Sequence, residues 1–264
     1  MADTDLLTIR ADQGEAFATV APSVGGRLAQ LEVNGRSLLV SGDHTSHPSM
    51  WGSFPMAPWA GRVRHGRFEF RGTVHELRSN LPPHAIHGTT FERPWTVRST
   101  SSDRLELDIE LGRERGWPLG GSATQVFRMS ERALDCELAV RAGETPIIAE
   151  IGWHPWFVKP DALEFAPTAI YPRDHEGIAM GPPVEPDLAD GPFDDCFVNT
   201  EPVVLHLDDL TLTLTSDCDH WVLYDEPGHA TCVEPQSGPP DAFNQQPRRL
   251  EAGEELRRTF TLSW

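Results

Sequence analysis

Arg27-Leu-Ala-Gln-Leu-Glu-Val33, then Asn34-Gly35, then Arg36-Ser-Leu-Leu-Val40 is the stretch that decides the fold. Apolar and polar residues alternate up to Val33, the period of a strand with one buried face. Asn-Gly then offers two residues that tolerate positive φ, which a two-residue hairpin turn requires. The stretch therefore predicts two antiparallel strands joined by a tight turn.

The same pattern recurs outward from it. Arg67-Phe-Glu-Phe70, Arg71-Gly72 and Thr73-Val-His-Glu-Leu77 predict a second hairpin, with Phe68 and Phe70 on one face. Val203-Val-Leu-His-Leu207, Asp208-Asp209 and Leu210-Thr-Leu-Thr-Leu214 predict a third. Leu105, Leu107, Ile109 and Leu111 alternate, as do Leu134, Cys136, Leu138 and Val140. Residues 220–224, 231–233 and 257–262 read as later strands. No long amphipathic helix is evident; short helical turns are expected near residues 130–132 and 186–189. Residues 42–56, 80–88 and 178–192, rich in His, Ser, Pro, Gly or Asp, read as loops. The fold class is all-β: one large antiparallel β-sandwich domain spanning residues 1–264.

Composition sets the partners. A net charge of −18 repels phosphate backbones, which argues against nucleic acid and anionic membranes. The first residues, Met-Ala-Asp-Thr-Asp, carry neither a basic segment nor an apolar run, so no signal peptide is expected, and no stretch has the length of a membrane span. Cys136, Cys196, Cys218 and Cys232 are scattered, without zinc-site spacing, and read as reduced thiols of a cytoplasmic protein. His84 and His87 stand three apart but lack further ligands at a readable spacing, so neither a metal nor another cofactor is expected.

The unusual residues collect in four clusters that read as loops. Residues 55–67 hold Arg62, Arg64, His65 and Arg67. Residues 84–88 hold two histidines. Ile151-Gly-Trp-His-Pro-Trp-Phe157, with Phe193-Asp-Asp-Cys-Phe197 later, sets His154 between two tryptophans. Residues 232–244 contain Val233-Glu-Pro-Gln236. Pro155 keeps His154 out of a helical conformation. Glu234, at the end of an apolar run and before a proline, is placed to project into a cleft. A carboxylate and an imidazole held on a rigid sheet suit general acid–base work. Taken singly, each residue reads as structural: His154 satisfied by a backbone carbonyl, Glu234 bonded to nearby backbone, Arg62 in a surface salt bridge.

Taken in order, the clusters resemble the aldose 1-epimerase (galactose mutarotase) family. The resemblance runs from about Gly25 to Asn244, through Ala60-Gly-Arg-Val-Arg-His-Gly-Arg-Phe68, Ile86-His-Gly88, Gly152-Trp-His-Pro-Trp-Phe157, Phe193-Asp-Asp-Cys-Phe197, and Val233-Glu-Pro-Gln236 with Pro240-Asp-Ala242. It implies the galactose mutarotase-like supersandwich, Glu234 as catalytic base and His154 as catalytic acid. It also implies sugar contacts from His87 near the ring oxygen, from Arg62, and from Asp194, with Asp195 as the alternative. Trp153 or Trp156 would pack on the sugar's C–H face. Better-known members carry Asn-His-x-x-Phe where this chain has Gly-Trp-His-Pro-Trp-Phe, and are longer, so the resemblance implies the reaction and leaves the sugar open.

The implied reaction interconverts the α and β anomers of a hexose by opening and reclosing the pyranose ring. It calls for a protonated histidine and an ionised glutamate near neutral pH, the order of their ordinary pKa values of about 6.5 and about 4.3. The expected partner is a small-molecule sugar, an aldohexose or a hexose phosphate, taken by a monomer or homodimer. A hexose-6-phosphate 1-epimerase is one alternative, with Arg62, Arg64 and Arg67 as the cationic site and His65 nearby. A noncatalytic sugar-binding β-sandwich is the other, and a structural β protein without ligand ranks last.

Overall fold

The computed structural model describes residues 6–11, 15–43, 45–188 and 191–264. The expectations for Met1–Asp5 and for Ala189 lie outside these residues. Two large antiparallel sheets carry the fold. The first has ten strands, running from Leu7–Arg10 through Ala16–Ala21, Arg27–Val33, Ser53–Met56, Gly152–Val158, Ala230–Gln236, His220–Tyr224 and Asp194–Val198 to Ala169–Ile170, with Arg36–Ser37 paired beside Arg27–Val33. The second has eight, in the order Thr96–Thr100, Arg104–Glu110, Ser122–Met129, Ala133–Arg141, Glu255–Ser263, Leu210–Ser216, Val203–Leu207 and Ala162–Glu164.

The hairpins form where the alternation places them. Asn34 and Gly35 both take positive φ, 52° and 76°, and Val33 pairs with Arg36 across the turn. That second arm is only two residues long, because Leu39 leaves it to bridge Phe157. Arg67–Phe70 pairs with Thr73–Glu76, and Val203–Leu207 with Leu210–Ser216. Other expectations need correction. Ser53–Met56 is a buried strand of the large sheet, not part of a loop, because its four residues are covered on both faces. Residues 130–132 make a turn closed by the Ser130 N–H on the Ala133 carbonyl rather than a helical turn. Residues 186–188 have no regular structure. The Trp-His-Pro-Trp and Val-Glu-Pro-Gln clusters sit within strands, not on loops.

The core fills the space between the sheets. Phe157, Phe197 and Trp221 from the ten-stranded sheet and Leu105, Leu134, Leu138 and Leu262 from the other are each at most 1% exposed. Trp153 meets Phe260 at 5.7 Å between ring centres, which ties the two layers directly. Full burial of each such side chain contributes about 1.5–3 kcal/mol. All four cysteines are free and buried.

Arg27 braces the ten-stranded sheet through backbone carbonyls, with no carboxylate partner among the described residues. Its guanidinium donates to the carbonyls of Val24, Trp51 and Phe91 at 2.8, 3.1 and 3.0 Å. It also lies over the rings of Trp51 and Phe54, 4.3 and 5.6 Å from their centres. Burial lowers its pKa to about 10, so it stays charged at neutral pH. The clamp fixes Phe54, and Phe54 supports the site described next.

Candidate active site

The Gly152–Val158 strand lies between Ser53–Met56 and Ala230–Gln236. Side chains alternate across it, so His154 and Trp156 face away from the core while Trp153 and Phe157 enter it. Gly152 pairs with Gln236 and Trp156 with Cys232, and the paired ladder lapses between them, across the proline. Pro155 brings no N–H to a ladder. The register on either side sets His154 opposite Glu234. Their Nε2 and Oε1 atoms are 3.3 Å apart, with side-chain exposures of 8% and 3%.

Both groups are held firmly. The His154 ring lies between Phe54, 4.7 Å away and stacked, and Trp156, 5.5 Å away and near-parallel at 13°. Trp156 is anchored by its Nε1–H on the Ser49 carbonyl at 2.8 Å. The Gln236 amide donates to Glu234 Oε2 at 3.2 Å.

Above the pair opens a cleft of about 490 Å³, within the usual range for small-molecule sites. His87 lines it, its ring edge-on to His154 at 4.9 Å. His87 takes a φ of 62° and its N–H donates to the Gly61 carbonyl at 3.0 Å. Gly88 follows with φ +79°, and a Cβ there would stand 2.0 Å from the Ala57 carbonyl oxygen. Only glycine fits this close approach, and it lets the loop push His87 into the cleft. Arg62 lines the wall, its Nη2 3.2 Å from Asp194 Oδ2. Arg173 holds the same Asp194 oxygen at 3.2 Å and Asp195 at 2.9 Å.

The structure thus brings His154, Glu234, His87, Arg62, Asp194 and Trp156 to one cleft. It does not bring Trp153 there: the period of two sends that side chain into the core at 1% exposure. Asp195 turns to Arg173 and is not among the cleft-lining residues. His84 instead accepts the His65 N–H at 3.0 Å and stacks on the His65 ring. Phe54, Tyr224, Gln236 and the loop residues Arg78 and Asn80 also shape the site. Sequence reasoning missed them. Gln236 alone carried a signal, since it shares the face of Glu234 two positions on.

Electrostatics departs from the expectation of an ionised glutamate beside a protonated histidine. Burial is the main cause in both residues: it raises the Glu234 carboxyl well above its ordinary range, and nearby Asp194 raises it further. Burial lowers His154 to about 3. Desolvation disfavours each charged form, so burial favours a carboxylic acid beside a neutral imidazole, an arrangement with one proton on the pair. His87 is pushed well below its ordinary value by burial and by His154, and is neutral.

A buried carboxyl–imidazole pair with polar groups converging above it thus lies on one sheet of a β-sandwich. The profile of the aldose 1-epimerase family matches residues 6–263, and the chain belongs to that family. Among curated proteins it is 31% identical to the uncharacterised Escherichia coli (strain K12) protein YphB over 107 residues, which are 39% of this chain and 36% of that protein. Among solved structures it is similar to a candidate aldose 1-epimerase from Escherichia coli K12, with TM-score 0.84, 19% identity and 98% of each chain covered. It is also similar to galactose 1-epimerase from Lactobacillus acidophilus NCFM, with TM-score 0.80, 16% identity, and 99% and 98% of the two chains covered. At these identities the structural likeness establishes the fold. Among the described residues no helix is long and apolar enough to cross a membrane.

Proposed function

We propose that the protein is an aldose 1-epimerase that interconverts the anomers of an aldohexose, with Glu234 and His154 as its catalytic pair. The observation that carries this is the cross-strand contact of 3.3 Å between two buried titratable groups at the floor of a cleft. In ring opening, Glu234 takes the proton of the C1 hydroxyl and His154 gives one to the ring oxygen as the C1–O5 bond breaks. The C1 aldehyde turns about its bond to C2. Reclosure on the other face returns both protons. The productive form, ionised Glu234 beside protonated His154, carries the same single proton as the arrangement that burial favours, moved across the 3.3 Å contact, and ring opening from it returns the pair to protonated Glu234 beside neutral His154. His87, neutral, supplies a hydrogen bond near the ring oxygen. Arg62 and Asp194 hold hydroxyls, and Trp156 offers the apolar contact.

The hexose-phosphate alternative receives less support. Arg62 is paired with Asp194, Arg64 with Asp174 and Glu176, and Arg67 with Glu76. Neither Arg64 nor Arg67 lines the cleft. The noncatalytic reading leaves the acid–base pair without a purpose, since burying two ionisable groups costs stability and sugar binding alone does not call for them. The test is optical rotation of freshly dissolved α-glucose and α-galactose with the protein and with Glu234→Gln. Acceleration lost in the variant supports the proposal. Sugar binding without acceleration, for these sugars and for glucose 6-phosphate, would leave the binding module as the better reading.

A further inference from the structure

Cys232 belongs to neither the proposed reaction nor the interior between the sheets. It lies two residues before Glu234 on the same strand, so both project from one face, and Trp156 is its cross-strand neighbour. Its sulfur, the His154 nitrogen and a Glu234 oxygen all lie within 4.8 Å of one another. The His154 Nε2 to Glu234 Oε1 separation of 3.3 Å matches the edge of a tetrahedron whose centre is about 2.0–2.1 Å from a nitrogen and an oxygen ligand, an edge of about 3.4 Å. A thiolate, an imidazole and a carboxylate form a donor set that selects zinc or cadmium over magnesium or calcium. The cleft above supplies the fourth position.

We propose that His154, Cys232 and Glu234 form an inhibitory binding site for a thiophilic divalent cation such as zinc. Coordination releases the thiol proton and the proton that the pair holds, and occupies the lone pairs that would move protons on a sugar. Inhibition rests on the acid–base reading given above; metal binding does not, so the two are tested separately.

Protein stripped with a chelator is titrated with Cd²⁺ while the thiolate-to-metal charge-transfer absorption is followed. One Cd²⁺ per chain is expected, displaced by Zn²⁺ and unaffected by excess Mg²⁺. The band should vanish in Cys232→Ser and in Cys232→Ala, the second guarding against a fold that rejects a buried hydroxyl. Circular dichroism confirms that each variant is folded. The other three cysteines remain in both variants as internal controls. No band in the wild type, or a band that survives in a folded Cys232 variant, overturns the proposal. In the activity arm, Zn²⁺ should inhibit the wild type and lose potency in Cys232→Ala by at least about tenfold, since even groups that only support a metal's ligands cost about that much. Equal potency against both proteins would also overturn it. Should the protein prove inactive on sugars, the absorption arm still decides the metal site.

Discussion

His154 and Glu234 face each other across two adjacent antiparallel strands, 3.3 Å apart and almost wholly buried. No loop motion is needed to assemble them, because sheet register sets their spacing. If this pair carries the proton transfers, Glu234→Gln and His154→Gln should each lower kcat/KM for anomer exchange by about 10²–10⁴-fold while leaving the fold intact by circular dichroism. Retention of more than about a tenth of the activity in either variant would remove that residue from the mechanism.

The pH profile follows from the single shared proton. Activity requires one proton on the pair. A second proton goes onto His154 only near pH 3, because burial lowers it to about 3, and the last proton is held by a carboxyl raised well above its ordinary range. The profile of kcat/KM, corrected for the spontaneous rate, should therefore show no acid limb near about 6.5, where an unperturbed histidine titrates. A clear acid limb centred there would place the protons differently.

Stability should vary with pH in opposite senses for the two residues. His154 is depressed in the folded state, so the stability tied to its neutral form is complete above its ordinary value of 6.5 and is lost as pH falls from there toward 3. Each unit corresponds to about 1.4 kcal/mol. Glu234 is raised, so its contribution is complete below 4.5 and is lost as pH rises through the folded value. Urea denaturation across pH should show His154→Gln less sensitive to acid than the wild type and Glu234→Gln less sensitive to alkali. Parallel curves for all three proteins would contradict the burial assigned to the pair.

The fold was legible because alternation and turn chemistry act locally: Asn34-Gly35, Arg71-Gly72 and Asp208-Asp209 each turn a hairpin where they stand. The candidate site was legible only through the resemblance of its clusters to a family. Nothing local says that His154 lies opposite Glu234, eighty residues away in sequence, since register between such strands depends on the whole sheet. The same period of two that revealed the hairpins would have sent Trp153 and His154 to opposite faces; with the motif taken as a loop, both tryptophans looked available to the sugar. The pKa expectation failed for a related reason, because burial is a property of the assembled sheet and not of the motif.

Arg27 gives a prediction about the scaffold beneath the site. Its guanidinium satisfies three buried carbonyls and packs on Trp51 and Phe54. Arg27→Met keeps much of the bulk but leaves those carbonyls without their donor, at a cost of about 3 kcal/mol or more. Arg27→Lys keeps the charge yet lacks the planar fork that reaches all three, and should recover less than half of that loss. Denaturant midpoints at constant m-value give the comparison; a variant as stable as the wild type would deny Arg27 its role as a brace.

Substrate charge is the last property the cleft should dictate. Arg62 spends its charge on Asp194, and the chain as a whole is at −18. A dianionic phosphate brought into this cleft meets Asp194 and Glu226 as well, without gaining Arg64 or Arg67, which are held elsewhere by carboxylates. Glucose or galactose should therefore be turned over with at least about tenfold higher kcat/KM than glucose 6-phosphate, a difference of about 1.4 kcal/mol in the transition state. The exposed Arg78 at the mouth supplies the internal check. Arg78→Ala should leave the unphosphorylated sugars nearly unchanged. If the phosphate is instead preferred and Arg78→Ala abolishes that preference, the cleft reads an anion at its rim and the substrate is a hexose phosphate.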